Sequence, residues 1–208
     1  DALRIAPMLG TYVAVSKSAA FRAYTLSAAA TYGGLFAFLS GSSFVFIDVL
    51  GQTPIGFALW FSAMVVGYLI GTLICRWLLA AHGIQRTVYA GATIQTAAGL
   101  TMAALALTGM HVPAAIGVPM FFFGLSHGVI QPPVQSGAVA PFAHAAGAAS
   151  ALLGFTMMVV ATAVGIWIGA SYNGSVYPLT LTICACGLVS AAIAFTLVRR
   201  NGDIAAHG

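Results

Sequence analysis

His127, Gln131 and Gln135 recur at four-residue intervals, which on a helix lines up an imidazole and two amides along one face. Imidazole titrates near neutral pH and amides both donate and accept, so such a stripe inside a bilayer could hold a ligand's polar group or pass a proton. Bonding of a membrane histidine to a neighbouring helix's carbonyl is the competing role. No Asp, Glu, Lys or Arg falls in the middle of any long apolar stretch, so a carboxylate proton relay must lie elsewhere. Asp48 belongs to a segment expected to form a solvated outer loop. Cys75, Cys184 and Cys186 sit within apolar runs, without metal-ligand or disulfide spacing, and neither metal nor cofactor is expected. Gly41-Ser42-Ser43 with His127 would supply the nucleophile and base of an intramembrane serine hydrolase. Ser42, however, ends the first apolar stretch on its outer side, while His127 lies towards the inner half of the fourth, more than about 10 Å away by helix rise. An enzyme is not expected.

Aromatic and thioether side chains extend the candidate site. Tyr32 and Phe36 share a helix face, Trp60 and Met64 share another, and Phe121 to Phe123 cluster. Turned towards a cavity, Tyr32, Phe36, Trp60, Met64 and Phe123, with His127 and Gln131, could bind a small apolar ligand by area and stacking. Turned towards lipid or other helices, the same residues are packing.

These residues need a scaffold, and composition defines it. A mean hydropathy near +1, with 61% apolar and 5% charged residues, leaves too little polar surface for a soluble globule. Apolar stretches at about 21–40, 55–80, 87–108, 114–130, 147–170 and 177–198 are each long enough to span a hydrocarbon core of about 30 Å. Turn signals separate them: Gly51-Gln52-Thr53-Pro54, His82-Gly83-Ile84-Gln85-Arg86, Met110-His111-Val112-Pro113 and Ser171-Tyr172-Asn173-Gly174. Gln131-Pro132-Pro133 is expected to break or kink the fourth span near its inner end, with a polar link over 135–144.

The basic residues orient the chain. Arg4, Lys17 and Arg22 precede the first span, Arg76 and Arg86 flank the second gap, and Arg199 and Arg200 follow the last. Successive crossings place all of them on one face, which the positive-inside bias assigns to the cytoplasm. The expected fold is therefore an all-α integral membrane bundle of six transmembrane helices over 21–200, N-in and C-in, with a cytoplasmic lead-in (1–20) and tail (201–208). Basic residues scattered over short loops form no nucleic-acid stripe and suit anionic inner-leaflet lipid. A first residue of Asp and an amphipathic lead-in suggest the middle of a longer polypeptide. A complete six-span permease or channel working as a homodimer is the alternative. Gly67/Gly71, Gly124/Gly128 and Gly165/Gly169 are each four apart, the spacing that lets helix backbones approach closely in lipid.

Three stretches carry a family resemblance. Residues 34–46, GLFAFLSGSSFVF, resemble the seventh helix and following loop of major facilitator superfamily drug exporters of the bicyclomycin-resistance (Bcr/CflA) type. Ala138-Val139-Ala140-Pro141-Phe142 with residues 146–154, AGAASALLG, is similar to their link between the tenth and eleventh helices. Gly71, Arg76, Gly83 and Arg86 resemble a degenerate second copy of the superfamily's cytoplasmic loop motif, with Ala80 where an acidic residue is usual. Pro133 stands where many relatives have Asn. The resemblance covers about residues 20–198 and implies helices 7–12 of a 12-helix transporter in a bacterial inner membrane. It further implies proton-driven multidrug efflux of drug-like compounds such as bicyclomycin, chloramphenicol or sulfonamides by an antiporter. The N-terminal six-helix half, protons and membrane lipid would be its partners. Gly71, Arg76, Gly83, Arg86, Pro132 and Pro133 would serve gating or the loop motif, and proton coupling would reside in the other half.

Overall fold

A computed structural model describes the backbone of residues 5–202 and side-chain packing from residue 10 onward. Arg4 and the tail beyond residue 202 lie outside the described residues. Helices α1 (Ile5–Lys17), α2 (Ala19–Ser43), α3 (Pro54–Leu107), α4 (Pro113–Val139), α5 (Ala146–Ser171), α6 (Tyr177–Ile193) and α7 (Arg199–Asn201) account for most of the chain. Short π-helical turns, Phe44–Val49 and Ala194–Val198, extend α2 and α6, and a 3-10 turn, Ala140–Ala145, joins α4 to α5. Four continuous apolar segments are long enough to cross a membrane: Ala19–Val49, Pro54–Leu107, Pro113–Ser171 and Tyr177–Asn201.

Two of these segments are too long to be single crossings. Straight, the 54 residues of α3 would measure about 80 Å at 1.5 Å per residue. Gly83 interrupts it with φ 75° and ψ −179°, a conformation that side-chain-bearing residues rarely adopt. Both sides of this break lie along α4. On the N-terminal arm, Trp60 meets Gly117, Gly67 meets Phe121, and Gly71 meets Leu125, so this arm runs parallel to α4. On the C-terminal arm, Gly91 meets Ile130, whereas Ala98 and Thr101 share a groove with Val118 and Phe122, so the direction is reversed. Phe142, with φ −115° and ψ 43°, interrupts the α4–α5 segment in the same way. Along α2, Gly34 meets Phe123 and Gly137 meets Tyr24 in the antiparallel sense, while Gly33 meets Val160 and Gly41 meets Ile168 in the parallel sense.

These directions sort the bundle into two ends. Lys17, Arg22, Arg76, Arg86, Arg199 and Arg200 belong to one end, and Asp48 to the other. At the basic end, Tyr24 Oη donates to the Gly202 carbonyl at 2.8 Å and Gln85 Nε2 to the Val198 carbonyl at 3.4 Å, tying α2, α3 and the chain after α6 together. A cluster built on Phe21, Tyr24, Val88, Val134 and Val198 fills that end. A second, built on Phe38, Phe46, Met102, Met120 and Leu179, fills the opposite one. Thr31, Gln95, Ser126, His127 and Ser190 lie at the depth between them, all buried.

The structure corrects several boundaries. The expected outer loop over 42–53 is helical as far as Val49, with Val45 and Phe46 buried and only residues 50–53 free of helix. Gly51 closes the π turn at φ 65° and Thr53 caps α3 by accepting from the Gly56 amide at 3.1 Å. Helix α4 does not break at Gln131-Pro132-Pro133 but continues to Val139 with helical dihedrals. Proline's fixed φ suits a helix; its cost is a missing N–H, and here the clamped flanks hold the turn, Gly91 lying against Val129 and Ile130 and Gly128 against Tyr68 and Thr72. The glycine pairs also differ. Gly67 and Gly71 face Gly124 and Gly128, and Gly165 lies on Phe36, but nothing lies within 4 Å of a Cβ placed at Gly169.

A Cβ at Gly71 would overlap the Leu125 carbonyl. Gly71→Leu is therefore expected to cost about 1–3 kcal/mol or more by overpacking. Gly169→Leu, of the same spacing motif, should change stability by under about 0.5 kcal/mol. Thermal unfolding of both variants in detergent measures the contrast.

Candidate functional site

Two of the predicted residues, Met64 and His127, line a cleft of about 280 Å³ where α2, the N-terminal arm of α3 and α4 converge. Leu35 and Leu39 come from α2, Phe61, Met64, Val65 and Tyr68 from α3, and Gly124 and His127 from α4. Helical spacing explains the set. Leu35 and Leu39 are one turn apart, as are Phe61 and Val65, and as are Met64 and Tyr68. Gly124, whose Cβ would lie 2.6 Å from the Met64 carbonyl, lets α4 approach closely enough for His127 to reach the cleft wall.

His127 is the polar centre of this wall. Its ring lies between Tyr68, at a centroid distance of 5.9 Å, and Tyr32, at 6.3 Å. Tyr32 in turn meets Phe36 at 6.2 Å. The Nδ1 of His127 is buried without a hydrogen-bond partner. One turn further along α4, Gln131 directs Nε2 to the Met157 sulfur at 3.7 Å, and its Oε1 is buried without a partner.

Behind the cleft, Thr31 joins three elements. Its hydroxyl lies 3.3 Å from Gln95 Oε1 on α3 and 3.2 Å from Ser190 Oγ on α6. With a single hydroxyl hydrogen, Thr31 donates to Gln95 and accepts from Ser190. Thr96 adds a bond to the Gly187 carbonyl at 2.9 Å. This buried polar layer fastens α2 to the second arm of α3 and to α6, and so fixes the helix carrying Leu35 and Leu39.

Of the predicted residues, Met64 and His127 line this cleft; Tyr32 packs against His127 and Phe36 against Tyr32 without lining it, and Gln131 turns to Met157 on α5. Trp60 and Phe123 are placed otherwise: Trp60 lies over Gly117 beside Phe46, and Phe123 is fully enclosed against Gly34, so both pack the helices and line no part of the cleft. Gly71 likewise serves helix contact with α4. Arg76, Gly83, Arg86 and Pro132 are exposed at or towards the basic end, and Pro133 is buried. Tyr68, absent from the expected set, was legible as the next turn after Trp60 and Met64. Gln95, Thr31 and Ser190 carry no such signal, since single polar residues in apolar runs become a layer only when the helices are assembled. Ser42 is ten residues beyond Tyr32 on α2, about 15 Å from the imidazole by helix rise, and the two cannot form a nucleophile–base pair.

Comparison with known proteins agrees with this architecture. The chain is 26% identical over 206 residues, 95% of its length, to an uncharacterised MFS-type transporter of Bacillus subtilis called YdgK. It is also 26% identical over 179 residues, 86% of its length, to a bicyclomycin resistance protein homolog of Haemophilus influenzae. The matches cover 50% and 44% of those proteins, so the chain spans about half the length of the curated relatives it matches. Neither a protein-family model nor a solved structure matches it significantly. The resemblance read from residues 34–46 and 138–154 thus extends to homology with major facilitator transporters across nearly the whole chain. Its relatives are membrane transporters rather than enzymes, and this is a multi-pass membrane protein.

Packing and cleft residues should separate on substitution. Phe123→Ala is expected to cost about 3–5 kcal/mol, as for other buried aromatic truncations. Tyr68→Ala, at the rim of the cleft, should cost roughly half that or less and weaken binding of a small apolar dye. Thermal unfolding and dye titration on the same samples would measure both.

Proposed function

We propose that this chain is the C-terminal six-helix half of a proton-coupled multidrug exporter, with α2, the two arms of α3, α4, α5 and α6 crossing a bacterial inner membrane. Both ends lie in the cytoplasm, because the basic end of the bundle is retained there by the positive-inside bias. The observation that carries this reading is the apolar cleft at mid-depth with one imidazole in its wall, on a chain half as long as its transporter relatives. Cavities assembled from two half-bundles suit alternating access, in which the halves rock about a midplane site.

The chemistry of the cleft supports small apolar or zwitterionic substrates. Leu35, Leu39, Met64 and Val65 supply area, and Phe61 and Tyr68 supply aromatic faces. No carboxylate lies among these residues, so the proton that drives export titrates in the partner half. The loop residues Arg76, Gly83 and Arg86 act at the cytoplasmic end, where Gly83 reverses the chain between two crossings. Pro132 and Pro133 withhold N–H donors from the carbonyls of Gly128 and Val129 on α4, leaving that turn more easily deformed as the halves move.

Expression of the intact gene in an efflux-deficient bacterium should raise resistance to neutral and zwitterionic drugs several-fold, and a protonophore should abolish the effect. Resistance that persists with the proton gradient collapsed would contradict proton-driven export.

A further inference from the structure

The imidazole of His127 has an open hydrogen-bonding requirement. A neutral imidazole that donates from one nitrogen presents the other as an acceptor. In His127, Nδ1 has no partner, and the residue is only 4% exposed. The other cleft-lining side chains are apolar except for Tyr68. A buried acceptor left unpaired is costly, and most strongly so in a bilayer where water does not compensate.

We propose that His127 determines specificity at this cleft, its Nδ1 accepting a hydrogen bond from an N–H or O–H group of an otherwise apolar, uncharged ligand. The proposal rests on the cleft being the chain's share of an exporter's binding cavity, and it names what that cavity selects. Tyr68 lines the cleft and lies against the imidazole, so its ring turns aside as the ligand's donor reaches Nδ1. The aliphatic side chains then take up the ligand's body. Molecules of the same size and apolarity that lack a donor leave Nδ1 unpaired and bind less tightly.

A matched pair of probes tests this directly: 4-hydroxybiphenyl, which carries one O–H donor, and 4-methoxybiphenyl, which carries none. Binding to the full-length protein in lipid nanodiscs is read by quenching of tryptophan fluorescence, for wild type, His127→Phe and His127→Asn. Comparing each variant with wild type for the same probe cancels the probes' different partitioning into lipid. His127→Phe is expected to weaken the hydroxyl probe about tenfold, the order of one hydrogen bond, and the methoxy probe less than about twofold. His127→Asn, which keeps an amide near the Nδ1 position, should restore part of the difference. Should the phenylalanine variant fold poorly, His127→Leu removes the acceptor with a smaller side chain. Equal losses for both probes, no loss for either, or no binding to wild type would each overturn the assignment. The assay requires no transport, so a protein that binds with this pattern yet confers no resistance would refute the exporter reading and leave the role of His127 intact.

Discussion

The close backbone approach between the first arm of α3 and α4 governs the rest of the molecule. Gly67 and Gly71 rest on the carbonyls of Phe121 and Leu125, and Gly124 and Gly128 rest on those of Met64 and Tyr68. Helices in lipid gain little from hiding apolar side chains from one another, so contact area and close packing supply the attraction. Four glycines on two facing stripes give that contact, with Trp60 over Gly117 continuing it towards one end. Once the first arm is fixed parallel to α4, the second can reach the other side of α4 only by turning back, and Gly83 supplies the turn. The cleft borders this seam, which is why Met64, Tyr68, Gly124 and His127 share it.

A second constraint acts at mid-depth. Apolar clusters fill both ends of the bundle, and the buried polar side chains collect between them. Thr31, Gln95 and Ser190 satisfy one another across three helices, which gives α2 a fixed register against its neighbours. His127 and Gln131 lie towards the cleft side of the same layer and retain unpaired atoms. The layer is not fully satisfied, since Gln95 Nε2 is buried without a partner as His127 Nδ1 and Gln131 Oε1 are. Interhelical bonds of this kind contribute on the order of 1 kcal/mol each, so their value lies as much in register as in stability.

Much of this was legible in the sequence because lipid simplifies the code. Length and apolarity mark the crossings, and the spacing of Arg76, Arg86, Arg199 and Arg200 predicts which helix ends lie together. The glycine stripes at 67/71 and 124/128 could be read as contacts, but not as contacts with each other. Gly165 and Gly169 show the limit of that signal, since only the first touches a neighbour. Local rules misplaced the π-helical extension to Val49 and the continuation of α4 through Pro132 and Pro133, because tertiary clamping outweighs local propensity there. Of the aromatic and thioether residues read from spacing, Met64 lines the cleft, while Tyr32, Phe36, Trp60 and Phe123 do not, since such stripes look alike whether they face a cavity or a helix.

The most direct test of the bundle is side-specific labelling of single cysteines in a background where Cys75, Cys184 and Cys186 are replaced. Arg86→Cys, beside the Gly83 reversal, and Asn201→Cys, after α6, are expected to react with a membrane-impermeant maleimide only in inside-out vesicles. Asn173→Cys, in the turn after α5, should react only in right-side-out ones. Labelling of Arg86→Cys and Asn173→Cys from the same side would contradict the reversal at Gly83 and the shared basic end built upon it.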